Sequence, residues 1–343
     1  MPDAYEKLMD RVRDVARLNS VVQLLDWDQE TQMPAGGALA RAEQVALLAG
    51  LAHEHLVHDE TRSALDSATA AQEDYVAETN IRQSRRIFAR AVRVPTKLIK
   101  DIARTSSLAK EAWTGARERA DFQGFAPHVS KLVDLKRQVA DHIGYEAEPY
   151  DALMDEYEPG AKSADIETLF AELCPATVSL LEKISAAPNK PDLSILQRDY
   201  PVDRQATLSR RMAEALNFDF QAGRADVSVH PFCTTIGGGG DVRITTRYVE
   251  SFLPSALFGT LHETGHALYE QGLLSEHIFT PMGEAVSLGI HESQSRMWEN
   301  MVGRSRPFWA HHFDAVKVMF HEALGGVSLD EFYAAINTVR PSL

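Results

Sequence analysis

Seven stretches, 3 to 25, 38 to 54, 59 to 90, 96 to 122, 126 to 143, 163 to 186 and 203 to 216, carry apolar residues at three- and four-residue steps. That period puts one face of an α-helix against a core, so the chain is expected to be mainly α. Pro34, Pro95, Pro127 and Pro175 mark expected boundaries or kinks, because proline interrupts the helical hydrogen-bond ladder. One interval departs from the pattern. Val227 and Val229, then Val242, Ile244 and Thr246, alternate on either side of Gly237-Gly238-Gly239-Gly240, which predicts a small β-hairpin or sheet. No linker rich in Ser, Gly or Pro and no internal repeat divides the 343 residues, so a single domain over 1–343 is expected.

The balance of 35 basic against 49 acidic side chains, a net charge of −14, argues against a nucleic-acid or anionic-membrane partner. The basic stretch from Arg82 to Arg93 spaces its arginines among apolar residues, as a solvated helix face does. Cys174 and Cys233 make no thiolate zinc framework and are expected to be buried and reduced. The chain shows no apolar signal core at Met1-Pro2-Asp3-Ala4-Tyr5-Glu6-Lys7 and no run of 18 apolar residues, which makes the cytoplasm the expected compartment. The four glycines do not make a phosphate loop, which would end in Gly-Lys-Ser or Gly-Lys-Thr, whereas Asp241 follows them.

Chemistry concentrates in His262-Glu263-Thr264-Gly265-His266. By composition alone an arrangement of His, acid, two residues and His is expected at most about 0.07 times in such a chain. It falls within an apolar helical stretch marked by Pro254, Leu257, Phe258, Leu261 and Leu268, with Gly272 as a C-cap. Residues four apart share a face, so both imidazoles can hold one metal ion while Glu263 points into the same pocket. Gly265 costs a helix interior about 1 kcal/mol against alanine, which predicts a close approach by another backbone or a ligand.

A catalytic zinc needs a third protein ligand and an open position. Tyr269 and Gly272 stand where a metzincin would require Gly and His, so the ligand must come from elsewhere. The segment from Gly283 to Trp298 reads as a second helix on which Glu292 shares a face with Leu288 and Ser295. Glu292 is preferred, with Glu284 and His277 as rivals. His230 and Arg243 are candidates for the cleft, weighed against an internal Asp241–Arg243 pair. Trp27, Asp26 and Asp28 read as packing and capping residues rather than chemistry.

Several motifs occur in order: Asp26-Trp27-Asp28 with Met33-Pro34, Asp155-Glu156-Tyr157-Glu158-Pro159-Gly160, His230-Pro231-Phe232, Asp241-Val242-Arg243-Ile244-Thr245, then His262 to His266 and His291-Glu292-Ser293. In these the chain resembles the carboxypeptidase Taq (M32) family of metallocarboxypeptidases from end to end. The resemblance implies a helical metallopeptidase fold with the small sheet beside the motif helix. It implies His262, His266 and Glu292 as metal ligands, Glu263 as catalytic acid/base, and a homodimer; the ion expected from the motif is Zn2+, with Co2+ as a substitute because both accept imidazole and carboxylate. Family members continue beyond the segment Asn337 to Leu343 into a helical region that closes the cleft. Leu329 to Val339 keeps helical patterning and Arg340-Pro341-Ser342-Leu343 reads as a connection, so a C-terminally incomplete domain is expected.

The function expected is that of a zinc-dependent carboxypeptidase, releasing C-terminal amino acids from peptides with a free C-terminus by metal-activated water attack with Glu263 as general acid/base. The alternatives are a truncated, non-catalytic helical metal-binding remnant and a zinc oligopeptidase or endopeptidase.

Overall fold

The computed structural model describes residues 4–71 and 73–339. Asp3, at the start of the first expected helix, and the connection expected at Arg340-Pro341-Ser342-Leu343 lie outside them. Fourteen α-helices and a three-stranded sheet are found among the described residues, and none of the helices is long and apolar enough to cross a membrane. The chain divides into two compact units.

The first unit takes the residues up to Tyr157, with Thr234–Val242 and Gly272–Ala285. Its helices are α1 (Ala4–Thr31), α2 (Ala38–Leu56), α3 (Asp59–Ser67), α4 (Tyr75–Ala91), α5 (Thr96–Glu118), α6 (Phe122–Ile143) and α7 (Pro149–Met154). Helix α1 runs past its expected end and carries Asp26, Trp27 and Asp28 in its interior, so none of them is a cap. Trp27 is buried, Asp28 pairs with Arg41 of α2 at 2.5 Å, and Asp26 faces Lys110 of α5 at 3.5 Å. Gln29 and Ser107 lock α1 to α5 through two reciprocal hydrogen bonds of 2.9 and 2.8 Å. These satisfy polar groups that burial would otherwise penalise.

The stretch 59 to 90 is two helices rather than one. Ala68 turns extended after α3, Glu73 adopts a left-handed conformation with φ of 67°, and the Asp74 carboxylate accepts from the Ala77 backbone N–H to cap α4. A side-chain cap competes with continued helix, and here it won. The same device ends the expected 96 to 122 helix early: Ala120 is left-handed with φ of 52°, and Asp121 caps α6. Pro127 lies near the start of α6, whereas Pro175 lies in the middle of its helix.

The second unit takes Glu158–Cys233, Arg243–Gln271 and the residues from Val286 onward. It begins with α8 (Ser163–Ala186) and α9 (Val202–Ala215). Next in chain order come strands β1 (Gly223–Val227), β2 (Cys233–Thr235) and β3 (Val242–Thr246), in sheet order β1-β3-β2. The glycines lie between β2 and β3, while β1 borders the other side of β3, so the expected small sheet has three strands. After it come α10 (Leu253–Gln271), α11 (Leu288–Arg296), α12 (Arg306–Met319), α13 (His321–Leu324) and α14 (Leu329–Ile336).

Helix α10 owes its place to one stripe. Leu253, Leu257 and Leu261 are buried in a core with Tyr200, Trp309, Phe320 and Phe332. Such a stripe at four-residue steps buries one side and turns the opposite side, with His262 and His266, away from that core. Thr246 of β3 and Thr260 of α10 approach through their hydroxyls at 3.4 Å, which sets the sheet beside the motif helix. Cys174 corrects the cysteine expectation. It is exposed, on a helix α8 none of whose residues is buried, and Cys233 is partly buried; both are free.

Candidate metal centre

The second motif helix starts later than expected. Pro281–Gly283 is a single 3-10 turn, Ser287 is extended and its hydroxyl accepts from the Ile290 N–H, and only then does α11 begin. Past Arg296 it continues as a π-helical segment, Met297–Val302, in which the Gly303 N–H reaches the Trp298 carbonyl at 2.8 Å. Such bulges shift side-chain register and are found frequently at functional sites. Helices α10 and α11 touch backbone to backbone at Gly265, where an added Cβ would meet the Ser295 Cα at 2.6 Å. The close approach that Gly265 predicted is a helix.

That contact brings three side chains together. Ligand atoms of His262, His266 and Glu292 lie within 4.8 Å of one another, the single such group of metal-capable side chains found among the described residues. The two rivals, His277 and Glu284, are not members of it. Glu292 Oε2 stands 3.6 Å from His262 Nε2 and 3.2 Å from His266 Nε2. Its Oε1 accepts from Arg296 Nε at 2.8 Å, and Ser295 donates to Oε2 at 3.0 Å.

The outer nitrogens of both imidazoles are engaged. His262 Nδ1 lies 3.0 Å from Glu299 Oε2, and a carboxylate only accepts, so Nδ1 donates and Nε2 keeps its lone pair toward Glu292. Glu299 is itself gripped by Arg304 at 3.2 Å and approached by Arg296 at 3.4 Å. His266 Nδ1 lies 2.6 Å from His291 Nδ1, and His291 Nε2 lies 2.8 Å from Glu270 Oε1.

Burial dominates the electrostatics. It pushes the Glu263 carboxyl up to about 7, with His262 acting in the opposite sense and Glu292 and Glu299 adding to the rise. Burial also takes His266 down to about 4; the charges that His291 and His262 would carry when protonated act in the same sense, and Glu292 and the His291 backbone act in the opposite one. On His262 burial opposes the charge, yet the Glu299 hydrogen bond and the surrounding carboxylates raise its pKa above the ordinary value. Glu299 and Glu292 lie below the ordinary carboxylate range: burial opposes this, and the bonds from His262 and Arg304, and from Ser295 and Arg296, outweigh it. Burial, with the Glu263 and Glu270 charges behind it, lifts the Cys233 thiol well above its usual value.

The donor set fits a small divalent ion. A tetrahedral ion with bonds of about 2.0–2.1 Å needs ligand atoms about 3.3 Å apart, and the two nitrogen–oxygen separations of 3.2 and 3.6 Å straddle that spacing. Glu263 adds a second indication. It is only 5% exposed, and its Oε2 is buried with no hydrogen-bond partner among the described residues. A native structure leaves a buried carboxylate oxygen unpaired for a reason, and here the oxygen sits on the turn between the two histidines. The residues that sequence reasoning passed over are Glu270, His291 as an orienting group, Glu299 and Arg304. The signals were Glu270 four residues after His266 and Glu299 seven residues after Glu292.

A cavity of about 560 Å³ is lined by Glu299 together with Arg247, Phe252, Phe258, Arg304 and Ile336. The Arg304 guanidinium lies over the Phe258 ring at 3.7 Å.

A helix-borne pair of imidazoles, a carboxylate from the next helix and an orphaned glutamate between them define a candidate metallohydrolase centre. The carboxypeptidase Taq (M32) metallopeptidase family profile matches residues 7–343. The chain is 42% identical to thermostable carboxypeptidase 1 of Thermus thermophilus, over 99% of this chain and 69% of that one. It is 34% identical to carboxypeptidase 1 of Bacillus subtilis, over 98% of this chain and 68% of the relative. The crystal structure of an M32 carboxypeptidase from Deinococcus radiodurans R1 superposes with a TM-score of 0.88 at 38% identity, covering 99% of this chain and 68% of that one. The chain belongs to the carboxypeptidase Taq (M32) metallopeptidase family and is an enzyme of the metallocarboxypeptidase class.

Proposed function

We propose that the chain is a zinc carboxypeptidase in which His262, His266 and Glu292 hold the ion and Glu263 is the general acid/base. The observation that carries this reading is the convergence of the three donor atoms within 4.8 Å beside the buried, unpartnered oxygen of Glu263. Two imidazoles and a carboxylate are a ligand set that zinc accepts while keeping a position open, and cobalt accepts the same donors.

A bound zinc ion supplies Lewis-acid polarisation of the scissile carbonyl and lowers the pKa of water in the site. Glu263 Oε2 takes a proton from the attacking water and passes it to the departing amine nitrogen. His262 and His266 each present an Nε2 lone pair, and Glu292 presents Oε2 while Arg296 and Ser295 hold the rest of its carboxyl in place. Substrates are peptides with a free C-terminus. The cavity beside Glu299 supports that class, because its Arg247 and Arg304 guanidinium groups match a carboxylate and its aromatic walls suit an apolar side chain.

The test is release of the C-terminal residue from an N-blocked dipeptide by the zinc-loaded chain, beside the same peptide amidated at its C-terminus. Zinc-dependent release from the free acid alone is the expected result. Cleavage of the amide would reassign the chain to an oligopeptidase, and bound zinc without release would leave a metal-binding remnant.

A further inference from the structure

We propose that Glu270 and His291 form a positioning relay that fixes the tautomer of His266, so that these two residues govern how tightly the centre holds its ion. The inference rests on the metal-site reading above and deepens it.

The proton positions follow from a chain of two contacts. Glu270 Oε1 is 2.8 Å from His291 Nε2, and a carboxylate has no proton to give, so His291 Nε2 carries the hydrogen. A neutral imidazole has one N–H, which leaves His291 Nδ1 as an acceptor. His266 Nδ1 lies 2.6 Å from it and must therefore donate. The lone pair of His266 is then confined to Nε2, the atom that faces Glu292 Oε2 at 3.2 Å. No other neutral arrangement satisfies both hydrogen bonds, and this one leaves two acceptors, His266 Nε2 and Glu292 Oε2, facing each other as a shared cation requires.

The ring geometry agrees. The His266 and His291 centroids are 4.6 Å apart with planes only 22° from parallel. Their Nδ1 atoms are far closer to each other than the centroids are, so the rings meet edge to edge in a hydrogen bond rather than face on. Tyr269 braces His291 from the side, ring edge to ring face at 5.3 Å and 77°. The side chains of Glu270, His291 and His266 are 14%, 18% and 12% exposed, so water competes weakly for these bonds.

Two placements on the helices make this more than a local contact. His262, His266 and Glu270 follow one another at four-residue steps on α10, so donor rings and relay anchor share a stripe. His291 directly precedes Glu292 on α11. Docking of α11 on Gly265 therefore delivers the carboxylate donor and sets the imidazole tautomer in one step. The Glu270 charge, transmitted through His291, also makes His266 Nε2 a stronger base toward a cation, as carboxylates behind ligating histidines do. His262 receives the same service from Glu299 without an intermediary.

Zinc affinity of the full chain, measured by competition with a chromophoric chelator, tests the proposal. His291→Ala should bind zinc about 10- to 100-fold more weakly, the usual range for loss of a group behind a ligand, with circular dichroism and thermal melting of the metal-free protein showing it folded. His291→Gln should recover affinity to within a few-fold of the parent, because its amide oxygen accepts from His266 Nδ1–H while its NH2 donates to Glu270. Glu270→Gln keeps an acceptor oxygen but no charge and should fall between. A folded His291→Ala variant with parental affinity, or a His291→Gln variant as weak as His291→Ala, overturns the relay. Independently of any ion, the 15N shifts of the His266 ring in the metal-free chain should report the Nδ1–H tautomer, lost as a single form in His291→Ala. If the parent chain binds no zinc, the metal reading fails, and those shifts still decide the tautomer.

Discussion

Gly265 stands so close to α11 that a Cβ built on it would lie 2.6 Å from Ser295 Cα and 2.8 Å from the Gln294 carbonyl oxygen. Both are backbone atoms, so neither can move without carrying the helix with it. Gly265→Ala gains about 1 kcal/mol of helix propensity but forces the helices apart, at an overpacking cost of about 1–3 kcal/mol. Because Glu292 rides on α11, displacement withdraws one of three donors. The expected result is a chain that melts no higher than the parent and binds zinc at least tenfold more weakly. A Gly265→Ala variant with raised stability and parental zinc affinity would mean the contact does not position Glu292.

Glu263 is separable from the ion it serves. In Glu263→Gln the three donor atoms are untouched and the side-chain shape is kept, while the group that accepts and returns the proton is gone. Zinc content should remain at one equivalent, and turnover of a blocked dipeptide should fall by about 10² to 10⁴. A variant with full zinc and parental turnover would remove Glu263 from the mechanism.

His262→Ala, His266→Ala and Glu292→Ala each leave two donors for an ion that needs three protein ligands. Each should lose most of its zinc on dialysis against a chelator that the parent resists. Chelation should abolish release of C-terminal residues by the parent, and added Zn2+ or Co2+ should restore it. Should Glu292→Ala keep zinc at parental affinity, the third ligand lies elsewhere.

How far the centre could be foreseen depended on which helix a residue occupies. The two histidines and Glu263 lie on one helix, where a four-residue step alone guarantees a shared face, so they were legible from spacing. Glu292 lies on another helix, and spacing preferred it without removing two rivals until the motif set narrowed the choice. Glu270 and Glu299 were written at helical intervals too, but an interval says which residues share a face and not what that face meets. Glu299 was further masked by the π-helical segment, Met297–Val302, whose wider turn breaks the ordinary period. Among the fold elements, β2 escaped because three residues are too few to show alternation, and the 59 to 90 helix was overextended because a capping Asp74 is a short signal within a long apolar pattern.

Tyr200 ties alkaline stability to the core that carries α10. Its ring is fully buried, set edge-on to Phe320 at 5.2 Å, and its hydroxyl donates to the Ile195 carbonyl. Burial pushes its pKa up from 10.0 to about 12, with Arg198 acting the other way. The raised value means that the folded state favours the neutral phenol. Its stabilising contribution is therefore complete below pH 10, where both states are protonated, and is lost as pH climbs toward 12 and only the unfolded chain ionises. The full loss is on the order of 2–3 kcal/mol. Tyr200→Phe removes the titrating group and strands the Ile195 carbonyl, so the variant should be about 1 kcal/mol less stable at pH 8. Between pH 10 and 12 the parent should lose stability faster than the variant, and the gap should close or invert. Urea unfolding of both chains at pH 8 and pH 11.5 measures this directly, and parallel pH curves would show that the Tyr200 phenol ionises in the folded protein as readily as in water.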